Sequence, residues 1–299
     1  MDINKLKLRI IDLLFSRALV HTVHFELREI RACLDNIKEE LEFNIEARYR
    51  ECPSGPVSLN HYEYRVYSQN GEDGIIAEIF NRIGTTNKFF VEFGAGRGVE
   101  NNTAFLLIKG WSGLWIEGDS SCCKTISKKF GFLIGTCLKS VNTILTAENI
   151  ESILQENRVP QEFDLLSIDI DGNDFWVWNA ISWFKPRVVV IEYNAIFPPD
   201  IDWVIKYNPN FKYNRYTSFF GASLKALEKL GTKKGYTLVA CDSKGINAFF
   251  VRSDLIADKF KGPFDASNLY HKPAYSATGR IGHANDFGEY TSFEDYFKP

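Results

Sequence analysis

The sequence predicts a doubly wound α/β domain built on a mostly parallel sheet, and three observations carry that expectation. Short apolar runs recur along the chain with helical stretches between them, the alternation of βαβ units. The runs are apolar on both faces, as strands covered by helices on either side must be. A glycine cluster, Gly94-Ala-Gly96-Arg-Gly98, follows directly on the first run, where such sheets turn sharply from strand to helix.

Phe89-Phe-Val-Glu-Phe93 reads as the first buried strand. Gly113 to Ile116 is the second, Phe132 to Ile134 a short third, Asp164 to Asp169 the fourth and Arg187 to Glu192 the fifth. Helical stretches between them include Ala147 to Glu156 and Phe175 to Trp183. Ser218 to Leu230 reads as a further helix, with Gly231 near its end. Two strands follow, Tyr236 to Ala240 and Ala248 to Val251, and the connection between them is short enough for an antiparallel hairpin.

The chain outside this pattern differs. Val20, Val23, Leu27, Ile30, Leu34, Ile37 and Leu41 alternate spacings of three and four with charges between, the seam of a coiled coil. That segment is read as one amphipathic helix packed on its own domain or as a helix pair joining two subunits into a homo-oligomer. The more apolar Leu6-to-Val20 part also fits a membrane surface. Cys52-Pro-Ser-Gly-Pro56 is a break. The expected division is therefore a helical segment at 1–52, the α/β domain at 57–255, and a tail at 256–299 packing on or near the site.

Of 299 residues, 45% are hydrophobic, enough for a full core, and the net charge of -3 gives no reason to expect nucleic acid. The six cysteines lack metal-site spacing and read as reduced thiols. No signal-peptide pattern and no apolar stretch of about 18 residues is visible. A cytoplasmic protein is expected.

Glycines after the first strand let the backbone approach a ligand without Cβ collisions, although a tight turn needs glycine in any case. Glu117, at the end of the second strand, stands where dinucleotide folds place an acid that accepts both ribose hydroxyls. The dinucleotide fingerprint itself is absent, because Val99 stands where its third glycine would fall. The spacing is instead E-x-G-x-G-x-G from Glu92, which resembles motif I of S-adenosylmethionine methyltransferases. The strand pattern likewise resembles the seven-stranded, Rossmann-like sheet of class I methyltransferases, whose last strand inserts antiparallel.

Ahead of the glycines lies Tyr67-Ser-Gln-Asn-Gly-Glu-Asp73, which also reads as a helix cap with acids in its first turn. Taken with Asn101-Asn-Thr103, Leu165 to Asp174 and Ile191-Glu-Tyr-Asn194, this order of motifs resembles the FkbM-like methyltransferase family over Tyr67 to Leu255. The resemblance implies S-adenosylmethionine as cofactor, with Gln69, Glu92, Gly94, Gly96, Glu117 and Ser167 around it. It implies O-methylation of a sugar or nucleotide-linked sugar in glycan or natural-product assembly.

Methyl transfer to a hydroxyl needs a positioned nucleophile and a proton acceptor. Asp169 and Asp171 leave the fourth strand, and Glu192 and Asn194 the fifth, at the carboxyl edge where open α/β sheets bind ligands. One reading has a divalent cation such as Mg²⁺ held by Asp169, Glu192 and Asn194. Macrocin-type sugar O-methyltransferases resemble this, but they carry paired aspartates where this chain has Glu-Tyr-Asn. Another makes Asp171 or Asp174 a metal-free base. A third leaves Gly172-Asn-Asp174 merely to turn the chain and cap a helix. His283 is a candidate base reaching in from the tail, and the aromatic, asparagine-rich stretch from Phe197 to Tyr216 is expected to touch substrate.

Overall fold

The computed structural model describes residues 57–214, 217–274 and 289–297. Seven strands are present, six of them where expected: β1 (Phe89–Phe93), β2 (Ser112–Glu117), β3 (Leu138–Asn142), β4 (Glu162–Ile168), β5 (Lys185–Glu192), β6 (Tyr236–Cys241) and β7 (Asn247–Arg252). They form one sheet in the order β3-β2-β1-β4-β5-β7-β6. Pairs among the first five are parallel; β7 runs antiparallel to both neighbours. The reversed strand is the last in sequence, inserted between β5 and β6, as the resemblance implied.

Side chains along each strand alternate between two cores, which is why the runs are apolar throughout. In β5, Val189 and Ile191 face one core, while Val188 and Val190 face the other. Helices α1 (Glu72–Ile83), α2 (Ala104–Ile108) and α3 (Ser120–Phe130) cover the second face through Ile75, Ile79, Leu107 and Ile126. Helices α4 (Ile150–Glu156), α5 (Asp174–Ala180) and α6 (Leu224–Lys233) cover the first through Leu154, Trp178 and Leu227. The sheet is doubly wound, and its strand order reverses beside β1.

Three boundaries differ from expectation. The third strand lies at Leu138–Asn142 and not at 132–134, where Phe132 is 77% exposed and Ile134 only bridges to Leu138. Leu138-Lys-Ser-Val-Asn142 is an edge strand with one fully buried residue, so it offers no apolar run to read. The helix expected from Ser218 begins at Leu224, because Ser223 caps it by accepting the Ala226 N–H at 3.3 Å. Before that cap, Ala222 bridges to Val204. The helix after β4 stops at Ala180, short of the exposed Trp183.

The buried body continues past Leu255, since Ile256, Phe260 and Ala266 are all in its core. Residues Tyr290–Thr291 pair with Val204–Ile205 in a two-residue ribbon, and Phe293 and Tyr296 pack on Phe175 and Trp176 of α5. Among the described residues no helix is long and apolar enough to cross a membrane. The coiled-coil seam from Val20 to Leu41 lies outside the described residues, as does His283.

Candidate functional site

Strand register assembles the site. Phe93 pairs with Ile116 and with Ile168, and Ile168 pairs with Ile191. One residue further along each strand, Glu117, Gly94, Asp169 and Glu192 therefore stand in a row along the carboxyl edge of β2, β1, β4 and β5. Neighbouring strands are about 4.8 Å apart, so the row brings the groups together. They open on a cleft of about 540 Å³, a size suited to a small ligand.

The glycine loop forms one end of the cleft. Gly94 has φ +74°, and a Cβ there would lie 1.6 Å from the Asp169 carbonyl oxygen, so β1 and β4 close together only because this residue is glycine. Gly96 has φ +55° for a different reason: a Cβ there would meet nothing within 4 Å. That open space belongs to the cleft. The Gly96 N–H donates to Glu117 Oε2 at 2.7 Å, and the Asp119 N–H donates to Glu117 Oε1 at 2.7 Å. An ionised carboxylate offers about four acceptor positions. Two are engaged by these backbone donors, and one on each oxygen remains for a pair of vicinal hydroxyls. The arrangement fits a ribose.

Gln69 reaches the same cleft, and its loop shows why the flanking residues are what they are. Asp73 Oδ2 accepts the Val66, Tyr67 and Ser68 N–H groups at 2.7–2.9 Å, while Glu72 Oε2 accepts those of Asn70 and Gly71 at 2.8 Å. Both acids of the first turn of α1 fold the loop back over it, the capping reading of this motif. Gln69 is the exposed residue left facing the cleft.

Glu92 and Ser167 are placed elsewhere than expected. Neither lines the cleft; they sit side by side beneath it, paired across β1 and β4. Glu92 accepts the Asn102 N–H at 2.9 Å and the Thr103 hydroxyl, Trp115 Nε1 donates to that hydroxyl at 2.7 Å, and Asn102 Nδ2 donates to Ser167 Oγ at 3.1 Å. Burial pushes the Glu92 carboxyl up to about 7. The pair braces the loop beyond the glycines from below.

At the other end, Asp169, Asp171 and Glu192 each offer an oxygen within 4.8 Å of the others. Asp171 stands on left-handed backbone, φ +56°, at the exposed rim. Enclosure, then repulsion from its neighbours, raises Asp169 and Glu192 well above the ordinary carboxylate range. Glu192 Oε2 has no hydrogen-bond partner among the described residues. Three acids drawn together with a bare oxygen among them fit a hard divalent cation or a shared proton.

Asn194 stands apart from this group. Its Nδ2 donates to the carbonyls of Ser218 at 2.7 Å and Phe220 at 3.0 Å, holding the stretch before α6, and it does not line the cleft. Asp174 stands apart too: its oxygens accept the Ile170 and Gly172 N–H groups, both at 2.8 Å, so it shapes the turn that presents Asp171. Other residues complete the walls. Asp119, Cys122, Ile144 and Leu145, which sequence reasoning missed, line the glycine-loop end, and Asn173 stands at the acid end with Pro209 and Phe211, from the stretch expected to touch substrate. The post-β5 stretch offered a signal for the last two, being rich in aromatics; Ile144 and Leu145 follow an edge strand whose position was misread.

The fold and the site together define a doubly wound α/β protein with a small-molecule-sized cleft at its strand-reversal point. No family model matches the sequence, and no curated protein matches it. Some solved structures are distantly similar. A SAM-dependent methyltransferase from Aquifex aeolicus aligns at 10% identity over 59% of this chain and 89% of its own, with a TM-score of 0.35. An S-adenosylmethionine-dependent methyltransferase from Clostridium acetobutylicum aligns at 11% over 59% and 88%, with a TM-score of 0.37. The O-methyltransferase TomG from Streptomyces achromogenes, solved in complex with SAM, aligns at 13% over 44% and 59%, with a TM-score of 0.32. Likeness this distant decides nothing about chemistry.

Proposed function

We propose that this chain is an S-adenosylmethionine-dependent O-methyltransferase acting on a hydroxyl of a sugar or nucleotide-linked sugar, of the FkbM-like type. The observation that carries the reading is the pairing of Gly96 with Glu117: an open cradle at a left-handed glycine, its N–H bonded to a carboxylate with one acceptor position left on each oxygen. The order of motifs from Ser68 to Asn194 supports the same family, and it is the only support for the sugar.

S-adenosylmethionine supplies an electrophilic methyl group on a sulfonium when bound. Glu117 and the glycine loop hold the nucleoside half, and Gln69 closes over it. Asp169, Asp171 and Glu192 orient the acceptor hydroxyl. As its oxygen would displace the neutral thioether sulfur from the methyl carbon, its proton passes to one of these carboxylates, which enclosure and mutual repulsion make good proton acceptors. If the three hold Mg²⁺ or another divalent cation, that ion would polarise the same hydroxyl. The free cysteines among the described residues support a reducing, cytoplasmic setting, and the seam from Val20 to Leu41 supports a homo-oligomer.

Calorimetry with S-adenosylmethionine tests the donor, and the absence of binding heat would refute it. Mass spectrometry of a glycan or nucleotide-sugar pool incubated with labelled donor tests the acceptor. Gain of one methyl on a carbohydrate is expected; label on an amine would move the reading to another acceptor class.

A further inference from the structure

A second cavity lies at the amino edge of the sheet, the end opposite the cleft. β5 begins there at Lys185 and β6 at Tyr236, and both residues line a space of about 270 Å³. Trp178, Phe184 and Pro186 give it a buried apolar wall. Lys185 and Lys233 line it as exposed side chains, and Lys234, directly after α6, as a half-buried one.

Lys234 is the cation drawn inward. Its Nζ donates to the Ile181 carbonyl and, at 3.3 Å, to the Asn179 carbonyl, where α5 ends. A positive charge at a helix C-terminus is favourable, and this capping is reason enough for a lysine at 234. It leaves two things unexplained. An ammonium has three N–H donors, and these carbonyls take two. Two more lysines also stand at the same cavity. Burial, then the Lys185 charge, brings the Lys234 ammonium down to about 8; Lys233 adds to the effect and Glu151 of α4 opposes it. Glu151 is engaged with the N–H groups of Ser182 and Trp183, and Tyr236 stays neutral, its hydroxyl donating to the Pro186 carbonyl at 2.6 Å. Lys233 Nζ rests over the Phe297 ring, 2.9 Å from its centroid. Lys185 and Lys234 are therefore the pair best placed to meet an anion. Folding gains nothing from setting like charges round an enclosed ammonium, whereas an anion turns the arrangement favourable.

We propose that this cavity is a second ligand site, taking a small phosphate monoester whose phosphate lies on Lys185 and Lys234 and whose apolar or aromatic body lies on the wall of Trp178, Phe184 and Pro186. Two ammonium groups match the double charge that such an ester carries above about pH 6. Lysine binds phosphate as a point charge, needing no forked geometry. At half the volume of the cleft, 270 against 540 Å³, the cavity has room for one ring and its phosphate. The site stands independently of the methyl-donor reading, since it shares no lining residue with the cleft.

Titration calorimetry of the full chain with phenyl phosphate, inorganic phosphate and phenol tests the site. Phenyl phosphate is expected to bind at least about tenfold more tightly than either of the others, because only it uses both the lysines and the wall. Lys185→Gln, at an exposed position, should weaken it by about tenfold, and Lys234→Met by at least as much. Affinity should also fall by about tenfold between about pH 7 and about pH 9.5, as Lys234 loses its proton; surface lysines, which titrate near 10.4, would hold the ester over most of that range. The Lys185 variant keeps the cap on α5, so it stays informative if Lys234→Met fails to fold. Absence of phenyl phosphate binding overturns the proposal. So does inorganic phosphate or phenol binding equally well, an affinity unchanged by Lys185→Gln, or a profile that stays flat to about pH 9.5.

Discussion

Glu117→Ala probes the geometry on which the nucleoside site depends. In the folded chain the carboxylate accepts two backbone N–H groups at 2.7 Å, one on each oxygen, and presents one further acceptor position on each. Two hydroxyls of a ribose would fill those positions with charge-assisted bonds. Hydrogen bonds to a charged group are worth roughly 1.5 kcal/mol each at the low end, so about 3 kcal/mol is lost with the side chain. At about 1.4 kcal/mol per factor of ten, the dissociation constant for S-adenosylmethionine rises about a hundredfold. The residue lies at the half-buried rim of the cleft, so water replaces the carboxylate on the two N–H donors and the fold persists. Isothermal titration of both proteins with the donor, and with an analogue lacking one ribose hydroxyl, gives the decisive comparison. The parent protein should lose about tenfold in affinity with the hydroxyl, and the variant nothing. An alanine variant that binds the donor as tightly as the parent, or that still distinguishes the two ligands, would refute the ribose assignment.

The two glycines should separate stability from binding. Gly94→Ala drives a methyl into the Asp169 carbonyl and should lower the unfolding free energy from urea titration by more than about 2 kcal/mol, whereas Gly96→Ala should cost folding only about 1 kcal/mol and act mainly on donor affinity; equal effects on both readouts would contradict the distinction. Glu92, whose carboxyl is pushed up to about 7 from a reference of 4.5, keeps in the folded state a proton that the unfolded chain releases. Its contribution is complete below the unfolded value and falls as pH rises toward 7, by roughly 3 kcal/mol at most. Glu92→Gln should therefore flatten the decline in stability between about pH 5 and about pH 8, and a slope matching the parent's would show that this group does not titrate there. Asp169→Asn should abolish turnover while leaving donor affinity intact. Chelator treatment of the parent then separates the two chemistries at the acid end, with loss of activity restored by Mg²⁺ if a cation is held there and full activity if a carboxylate works alone.

The sheet was legible because its central strands are buried on both faces, which forces continuous apolar runs such as Val188 to Ile191. Strand adjacency then followed from topology, so Asp169 and Glu192 were readable as neighbours from the sequence. What resisted reading was whatever lay off that pattern. The third strand is half exposed and carries Lys139 and Ser140, while the more apolar Phe132 lies in solvent. Glu92 and Asn194 do not line the cleft, for a shared reason. Sequence position put each at a strand end with the right chemistry, but whether a polar group faces a ligand or a backbone donor depends on loops arriving from elsewhere. Asn102 and Thr103 engage Glu92, and the stretch from Ser218 to Phe220 engages Asn194.

That distinction sorts the buried acids of the whole domain. Asp164 accepts the Thr86, Asn87 and Lys88 N–H groups and pairs with Arg187 at 2.7 Å, at the amino end of the sheet. Glu72, Asp73, Asp174 and Asp242 likewise receive backbone donors from turns they organise. Each holds a loop that would otherwise leave buried N–H groups unpaired, which is sufficient reason for a carboxylate there. Asp169 and Glu192 have no such reason to be acids. They stand on adjacent strands, enclosed and close enough to raise one another, and a protein gains nothing in stability from that arrangement. Amides or apolar residues at both positions would fold better. An acid pair that folding alone would not select is explained by what it does to a ligand, and the register that aligns it with Gly94 and Glu117 puts that ligand within reach of whatever the glycine loop holds.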